Sequence, residues 1–287
     1  MKTVGIIYNA RIPEALDLSS AIFHQLSLSK DSWLVPAEDL EALKQRAEGT
    51  DLIITVGGDG TILRAAQAAA PQGIPMVGIN MGRLGFMTEL QVDEALARLP
   101  GYLGDDAGVE MRTEERNMIQ ALVVRGNGSN GSGEDGPHHA LNDVVLARGA
   151  VSRVVSIAGR IDGAQLTTFR ADGVILSTAT GSTGYNLAVG GPILDPLSDS
   201  FVLKPVAAHM GLTVAMVLDC SAKVTLALEG YQPATLSVDG HVDYPLEPGD
   251  RVDLVQSPFK ASFLRANPPS YFYGTLTRRL GFSLRGQ

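Results

Sequence analysis

The chain has 287 residues, of which 45% are hydrophobic and 19% are charged, as is typical of a globular protein with about two domains. Its 23 basic and 31 acidic residues give a formal net charge of -8, which argues against a nucleic-acid-binding protein. One cysteine, Cys220, excludes an internal disulfide and a cysteine-rich zinc site, and fits a cytoplasmic protein. No apolar run approaches the roughly 18 residues of a membrane helix, so no membrane partner is expected.

The first 105 residues have the pattern of an α/β domain. Apolar or β-branched runs predict strands at residues 4–8, 52–56 and 76–79. Apolar residues spaced three and four apart predict helices at about 13–29, 37–48 and 61–70. Strands that alternate with helices predict an open parallel sheet covered on both faces.

The pattern changes after residue 105. Residues 106–266 contain many short strand-like pieces separated by turn residues, which predicts a β-rich, largely antiparallel second domain. Within it, residues 181–190 predict a short helix, and the Gly/Ser-rich residues 126–139 predict a mobile hairpin loop. Residues 267–287 are rich in aromatics and arginine, and this tail is expected to dock back on the N-terminal domain.

The stretch "GGDGT" at residues 57–61 joins a predicted strand to a predicted helix. Ligands bind at the carboxyl ends of strands in open α/β sheets. Three glycines allow the backbone to adopt positive φ and let a ligand approach closely, and the N–H groups of the following helix face an anion. The turn therefore predicts a neighbourhood for phosphate.

The carboxylate of Asp59 distinguishes this turn from common phosphate loops. No Lys follows as in a Walker loop, and Leu63 stands where a Rossmann fingerprint has its third Gly. An acid facing phosphate is repulsive unless it holds a metal ion or takes a proton from an attacking hydroxyl. The hypothesis is phosphoryl transfer to an alcohol. The alternative is a helix N-cap, which contributes about 1 kcal/mol.

The sequence resembles the NAD kinase family, which transfers phosphate from ATP to the 2′-hydroxyl of the adenosine ribose of NAD. The resemblance rests on "GGDGT" (57–61), "GINMGRLGFMTEL" (78–90), "LND" (141–143), "RADGVILSTATGSTGYNLAVGGPILDP" (170–196) and "SVDG" (237–240). It implies the NAD kinase-like fold, ATP as donor, and a divalent metal cation, Mg²⁺, held mainly by ATP. The binding of NAD is then expected in a cleft between the two domains, with ATP over the glycine turn.

The resemblance also implies roles for individual residues. Asp59 is expected to be the catalytic acid-base residue, with Gly60 and Arg64 near the substrate. Phe86 is expected in the pocket wall, although an ordinary core position is equally compatible with the pattern. Asn142 and Asp143 match the family's Asn-Glu pair that contacts the nucleoside. The positions expected to line the dinucleotide pocket are Arg170, Asp172, Thr183, Gly184, Tyr185, Asn186, Leu187 and Ala188.

The chain departs from the family pattern at a few of these positions. Asp143 stands where the family usually has Glu, Gly184 where it has Ala, and His241 where it has Gln. Asp143 keeps the charge of Glu but is shorter by one methylene, so its contacts can run through water. These departures bear on substrate preference and rate more than on the class of reaction.

Two other functions share part of the pattern. Lipid kinases of the diacylglycerol or sphingosine type carry a similar glycine turn, but this acidic chain offers no evident membrane-binding surface. A non-catalytic dinucleotide sensor would have similar binding residues, although Asp59 favours an enzyme. The exposed strand edges of a β-rich domain, together with the resemblance, predict a homodimer or homotetramer.

Overall fold

The structure is a computed structural model that describes residues 1–26, 28–104, 110–126, 133–149, 153–209 and 212–281. The chain forms two compact units. Unit 1 contains Met1–Glu115 and Ala261–Gln287, and unit 2 contains Arg116–Lys260. The predicted domain boundaries at residues 105 and 266 lie just before and just after the two strands that cross between the units, and they stay predictions.

The helices and strands follow one another along the chain in two series. The first series is β1 (Val4–Tyr8), α1 (Pro13–Gln25), β2 (Trp33–Pro36), α2 (Leu40–Ala47), β3 (Leu52–Gly57), α3 (Asp59–Ala69), β4 (Met76–Asn80), β5 (Leu90–Gln91) and α4 (Val92–Leu103). The second is β6 (Arg112–Val124), β7 (Glu134–Ala140), β8 (Asp143–Arg148), β9 (Val155–Ile161), β10 (Ala164–Ala171), β11 (Gly173–Thr178), α5 (Tyr185–Ala188), β12 (Ser200–Val206), β13 (Met216–Asp219), β14 (Val224–Glu229), β15 (Ala234–Val238), β16 (Val242–Leu246), β17 (Arg251–Arg265) and α6 (Tyr271–Arg279).

Unit 1 is built on a parallel sheet in which the strands lie in the order β2-β1-β3-β4. Phe263 at the end of β17 adds a further parallel pairing with Met76 of β4. The strands are buried on both faces, as their continuous apolar runs predict, and each fully buried aliphatic side chain contributes about 1.5–3 kcal/mol. The prediction of an α/β unit with a parallel sheet is confirmed.

The helices of unit 1 differ from the predicted ones at their ends. α1 ends at Gln25 rather than residue 29, because the chain becomes extended at Leu26. α2 begins at Leu40 rather than residue 37, because the side chain of Asp39 accepts a hydrogen bond of 3.1 Å from the N–H of Ala42 and caps the helix. α3 begins at Asp59, two residues earlier than predicted, which places this acid in the first turn of the helix.

Unit 2 contains antiparallel sheets, as predicted. One sheet has six strands in the order β13-β12-β11-β8-β15-β16, and a second ladder has the order β10-β9-β14-β17. Apolar side chains from both sets of strands form one core, which includes Ile157, Phe169, Leu176 and Leu226. The β-rich prediction is therefore confirmed.

Part of the predicted hairpin loop at residues 126–139 is a strand. Glu134–Ala140 forms β7, which pairs with β6 and is anchored by a hydrogen bond of 2.9 Å between His138 Nδ1 and the Tyr244 hydroxyl. The strand could not be predicted from the Gly/Ser-rich composition of this stretch. Residues 127–132 of the predicted loop lie outside the described residues. None of the helices in the described ranges is long and apolar enough to cross a membrane.

Candidate active site

The glycines of the turn between β3 and α3 act through close packing and open space. None of Gly57, Gly58 and Gly60 has a positive φ, so the turn does not use the left-handed backbone that these glycines allow. A Cβ atom at Gly57 would lie 2.1 Å from Oγ1 of Thr61, whereas one at Gly58 or Gly60 would meet nothing within 4 Å. Gly57 is needed for close packing of strand on helix, and the other two glycines leave open space beside the first turn of α3.

The carboxylate of Asp59 does not cap α3. Gly58 occupies the N-cap position, and no side chain caps this helix end. Instead, Oδ2 of Asp59 accepts a hydrogen bond of 2.9 Å from the N–H of Phe86, and Oδ1 accepts one of 3.0 Å from the N–H of Met87. These two backbone donors fix the orientation of the carboxylate. The N-cap alternative is therefore wrong, and the carboxylate is held by the loop that follows β4.

Gly85 allows that loop to reach Asp59. A Cβ atom at this position would lie 2.3 Å from Oδ1 of Asp59 and 3.1 Å from Oγ1 of Thr88. The next residue, Phe86, is half-buried, and its ring centroid lies 6.0 Å from that of Phe272 in α6. Phe86 therefore packs against the C-terminal helix of its own unit, and its predicted contact with substrate stays a prediction.

A polar cavity of about 180 Å³ lies beside the glycine turn. Its described lining consists of Asn9, Arg11, Ala37, Glu38, Gly58, Gly60, Thr61 and Arg64. The carboxylate of Glu38 lies 3.9 Å from a guanidinium nitrogen of Arg11 and 3.9 Å from one of Arg64. The structure thus brings the predicted residues Gly60 and Arg64 to one cavity and adds Arg11, which the motif does not include.

A second cavity, of about 440 Å³, lies in unit 2. Its described lining consists of Asn142, Asp143, Val145, Ala147, Tyr185, Ser237, Asp239 and Gly240. Asn142 and Asp143 stand at the start of β8, and Tyr185 begins α5 with 45% of its surface exposed. The side-chain carbonyl oxygen of Asn142 is buried and has no hydrogen-bond partner in the protein. A buried acceptor without a donor is costly, so this atom is suited to a ligand N–H group.

Asp239 lines this cavity and holds the backbone at the start of β8. Its carboxylate accepts hydrogen bonds from the N–H groups of Leu141, Asn142 and Asp143, at 2.9, 2.7 and 3.1 Å. Its backbone is left-handed, with a φ of 51°. The sequence analysis predicted no role for Asp239, because an Asp-Gly pair is typical of an ordinary turn. The available signal was the presence of "SVDG" among the stretches that carry the resemblance.

Two buried acids, Asp143 and Asp239, line the cavity. Burial beside the charge of Asp239 raises the pKa of Asp143 to about 7. Burial also raises the pKa of Asp239, and the three N–H donors oppose that rise. Because Asp239 alone receives these hydrogen bonds from backbone N–H groups, it keeps its charge more readily, and Asp143 takes up the proton first as the pH falls.

The residues from Thr183 to Ala188 differ in their positions relative to the cavity. Gly184 and Tyr185 lie beside the cavity, since a Cβ atom at Gly184 would lie 3.6 Å from Nδ2 of Asn142. Asn186 is fully buried, and its amide nitrogen donates to the carbonyl oxygens of Ser182 and Pro192 at 3.1 and 2.9 Å. Asn186 thus ties the loop together.

The side chains of Thr183, Leu187 and Ala188 are not among the described residues that line the cavity. The hydroxyl of Thr183 donates to the carbonyl oxygen of Thr180 at 3.2 Å. Like that of Asn186, their predicted contacts with the dinucleotide stay predictions.

Arg170 and Asp172 are also absent from the described lining of this cavity. The carboxylate of Asp172 lies 3.2 Å from a guanidinium nitrogen of Arg148. The carbonyl oxygen of Arg170 accepts a hydrogen bond of 2.8 Å from the N–H of His209, and the side chain of Arg170 is exposed. Their predicted roles also stay predictions.

Two family models match the chain. The ATP-NAD kinase N-terminal domain matches residues 28–107, and the ATP-NAD kinase C-terminal domain matches residues 141–266. The chain belongs to the NAD kinase family. The NAD kinase of Dehalococcoides mccartyi is 39% identical over 280 residues, which cover 97% of this chain and 96% of that protein. The NAD kinase of Chloroflexus aggregans is 36% identical over 289 residues, which cover 98% and 99%.

Solved structures of NAD kinases share the fold. A yeast NADH kinase complexed with NADH has a TM-score of 0.84 at 23% identity, covering 100% of this chain and 89% of that chain. An NAD kinase from Archaeoglobus fulgidus in complex with ATP has a TM-score of 0.74 at 23% identity, covering 96% and 98%. The NAD kinase-like fold predicted from the sequence is therefore confirmed.

The described residues do not form a metal site of their own. Among the described residues, no group of three or more His, Cys, Asp and Glu side chains is arranged to hold a metal ion. Both oxygens of Asp59 already accept backbone hydrogen bonds. These residues alone do not build a Mg²⁺ site, and the expectation that Mg²⁺ arrives with ATP stays a prediction.

Proposed function

We propose that this member of the NAD kinase family phosphorylates the 2′-hydroxyl of the adenosine ribose of NAD with ATP, giving NADP and ADP. The bond between the ribose oxygen and the γ-phosphorus forms. The bond between the γ-phosphorus and the β,γ-bridging oxygen breaks, and ADP leaves with that oxygen. The proton of the hydroxyl goes to a base.

The base in this proposal is Asp59. The observation that carries the assignment is the fixed carboxylate, which two backbone N–H groups hold at the carboxyl end of β3 beside the open space at Gly58 and Gly60. A general base contributes about 10²- to 10⁴-fold to a rate when it is oriented in this way. Phosphoryl transfer demands positioning and charge stabilisation more than covalent chemistry, so orientation is the main requirement.

The phosphate chain of ATP is assigned to the polar cavity beside the turn. Arg11 and Arg64 are the two cations of its lining, and the N-terminal turn of α3 opens onto it. Guanidinium groups and helix N-termini both bind phosphate oxygens. Glu38 holds both arginines at 3.9 Å, so the arriving phosphates compete with it for them. Donors other than ATP stay open in this assignment, because phosphate chains share these oxygens.

A nucleoside of NAD is assigned to the cavity of unit 2. The unpaired carbonyl oxygen of Asn142 can accept from the amino group of a base, and the carboxylate of Asp143 can accept from ribose hydroxyls. Tyr185 offers an aromatic face at the rim of the same cavity. The polar groups of this cavity therefore match a nucleoside better than the apolar chain of a lipid.

The function is tested by incubating the protein with NAD, ATP and Mg²⁺ and measuring the product with an NADP-specific dehydrogenase. That readout detects only the 2′-phosphate. Asp59→Asn is expected to bind NAD like the unchanged protein in calorimetry and to lose at least about 10²-fold in kcat. The control is Asp93→Asn, which neutralises an exposed acid in α4. Phosphorylation of a lipid without NADP, or NAD binding with no product, would replace this proposal by the lipid kinase or by the sensor.

A homodimer or homotetramer and a cytoplasmic location complete the proposal. The end strand β13 of the six-stranded sheet carries Val217, which is 54% exposed, and Val214 just before it is 61% exposed. An apolar strand edge is a site at which a second copy can pair. Light scattering of the purified protein measures the number of copies, and a Val217→Lys variant is expected to reduce it.

A further inference from the structure

The C-terminal helix α6 places the guanidinium of Arg279 beside the candidate base, Asp59. Nη1 of Arg279 lies 3.3 Å from Oδ2 of Asp59, across 220 residues of sequence. The guanidinium carbon of the same arginine lies 4.4 Å from the centroid of the Phe86 ring. Phe86 itself provides one of the backbone N–H groups that hold Asp59. Asp59, Phe86 and Arg279 therefore form one cluster within unit 1.

Of the contacts in this cluster, the ion pair between Arg279 and Asp59 is the one that can break and be replaced by a contact with substrate. The two N–H bonds to Asp59 come from the backbone of a loop that packs on the carboxylate without room for a Cβ atom at Gly85. The arginine is a long side chain in the last turn of α6, and 42% of its side chain is exposed. A pair this exposed contributes only about 0–1 kcal/mol to stability, so the fold does not depend on it.

The remainder of α6 is attached by other contacts. Phe272 packs against Phe86, and Thr275 is buried, with a relative exposure of 2%. Just before the helix, the N–H of Asn267 donates to Oε1 of Glu89 at 2.8 Å. Removing the Arg279 side chain therefore leaves the helix in place, which allows its chemical role to be tested separately.

Arg279 lies within reach of the group that is transferred. A hydroxyl that gives its proton to Asp59 lies about 3 Å from the carboxylate. The phosphorus that this hydroxyl attacks lies about 3–3.5 Å beyond it. The oxygens of the phosphoryl group thus fall within the span of a guanidinium that already touches Oδ2 of Asp59. The planar fork of arginine bonds such oxygens in pairs, and the Phe86 ring supports its plane.

We propose that Arg279 is a further catalytic residue, which pairs with Asp59 before the substrates bind and donates hydrogen bonds to the transferred phosphoryl group during the reaction. The proposal rests on the function proposed above. The cation solves a specific electrostatic problem, because the Asp59 carboxylate otherwise repels the anionic donor beside it. Moving from carboxylate to phosphate, the guanidinium uncovers Oδ2 for the ribose hydroxyl and neutralises charge that develops on the phosphoryl oxygens.

The test compares Arg279→Ala with Arg278→Ala. Arg278 is the neighbouring exposed arginine, whose guanidinium lies 5.5 Å from the Tyr271 ring centroid within the same helix. Arg279→Ala is expected to lower kcat for NADP formation about 10²- to 10³-fold. The loss of one hydrogen-bond donor to the transition state has an effect of this size in other enzymes. The KM for NAD and the melting temperature are expected to stay close to those of the unchanged protein, and Arg278→Ala is expected to keep full activity.

Two further measurements identify the guanidinium itself. Arg279→Lys keeps the charge but not the fork, and it is expected to recover only part of the lost kcat. Guanidinium added at a concentration well below denaturation is expected to raise the activity of Arg279→Ala and not that of Arg278→Ala. The same additions to Asp59→Asn are expected to have no effect, because that variant retains its arginine.

The alternative outcomes are distinguishable. If the unchanged protein forms NADP and Arg279→Ala is equally active, the proposed function stands and the role of Arg279 is overturned. If Arg279→Ala is more active than the unchanged protein, the arginine only blocks the base, which also overturns the role. If the unchanged protein forms no NADP, the proposed function fails first and the role of Arg279 fails with it.

Discussion

The backbone N–H of Asp143 donates a hydrogen bond of 3.1 Å to Oδ1 of Asp239, and both side chains line one cavity. The two acids are buried, with relative exposures of 6% and 7%. Backbone donors stabilise the charge of Asp239, while burial and that charge raise the pKa of Asp143 to about 7. Asp143, which takes up the proton first, therefore changes its protonation near neutral pH.

The first prediction concerns the binding of NAD. The ionised form of Asp143 accepts hydrogen bonds from two hydroxyls, and protonation removes part of this capacity. Because burial raises the pKa of Asp143 to about 7, we expect the affinity for NAD to fall as the pH is lowered from 8 to about 6. Calorimetry across this range measures the effect. Asp143→Asn should bind NAD more weakly at pH 8 and without this pH dependence, and an unchanged slope would contradict the assignment.

The second prediction concerns stability, and its sign follows from the same raised pKa. The folded protein holds the proton on Asp143 more tightly than the unfolded chain does, whose acids have a pKa of about 3.9. The contribution of Asp143 to the stability of the fold is therefore fully present below about pH 4 and is lost as the pH rises through about 7. We expect Asp143→Asn to raise the melting temperature more at pH 8 than at pH 5. An equal shift at both values would contradict it.

The third prediction concerns Gly85. Its place against Oδ1 of Asp59 leaves no room for a methyl group, so Gly85→Ala must displace the loop or the carboxylate. We expect a loss of about 10²-fold in kcat, because a misplaced base loses most of its effect. Gly82→Ala is the matched control in the same loop, since a Cβ atom there would meet nothing within 4 Å. Full activity of Gly85→Ala in the NADP assay would show that the observed position of the carboxylate is not the reactive one.

The sheets were predictable from the sequence because their signals are local. The runs at residues 4–8, 52–56 and 76–79 become β1, β3 and β4 nearly residue for residue, since strands buried on both faces must be continuously apolar. The change to short strands after residue 105 likewise follows from turn residues. The strand Glu134–Ala140 escaped prediction because its polar, Gly- and Pro-containing sequence has no strand periodicity, and pairing with β6 supplies what the local signal lacks.

The site was predictable only where its residues lie in one motif. Asp59 and Asn142 stand in recognisable stretches, but the hydrogen bonds from Phe86 and Met87 to Asp59 depend on tertiary packing. The same packing corrects the glycine interpretation, because a Gly pattern does not distinguish positive φ from close approach. The arginine of α6 reaches Asp59 from 220 residues away, and no local pattern reports such a contact.

The fourth prediction concerns Asp239, the acid whose role the motif did not reveal. Asp239→Ala leaves the N–H groups of Leu141, Asn142 and Asp143 without their acceptor. Each unsatisfied buried donor costs about 1–3 kcal/mol, so we expect a loss of at least about 3 kcal/mol in the free energy of unfolding, together with weaker NAD binding. Denaturant unfolding measures it. The control is Asp243→Ala, at an exposed acid of β16, and equal losses in both variants would contradict the role of Asp239.

The last prediction separates two glycines of the loop that faces Asn142. A Cβ atom at Gly181 would lie 2.0 Å from the backbone carbonyl oxygen of Asn142, which accepts the N–H of Thr178 at 2.8 Å. Gly181→Ala must therefore move Asn142, at a cost of about 1–3 kcal/mol, and we expect a higher KM for NAD.

Gly184→Ala is the matched control for this variant. Its nearest contact would be 3.2 Å, to the carbonyl oxygen of Gly181, which is much less close than the 2.0 Å contact at Gly181. A small shift of one neighbour accommodates the methyl group, so we expect a melting temperature close to that of the unchanged protein and only a modest change in KM. If Gly181→Ala leaves KM and stability as Gly184→Ala does, the position of Asn142 is not set by the close approach at Gly181.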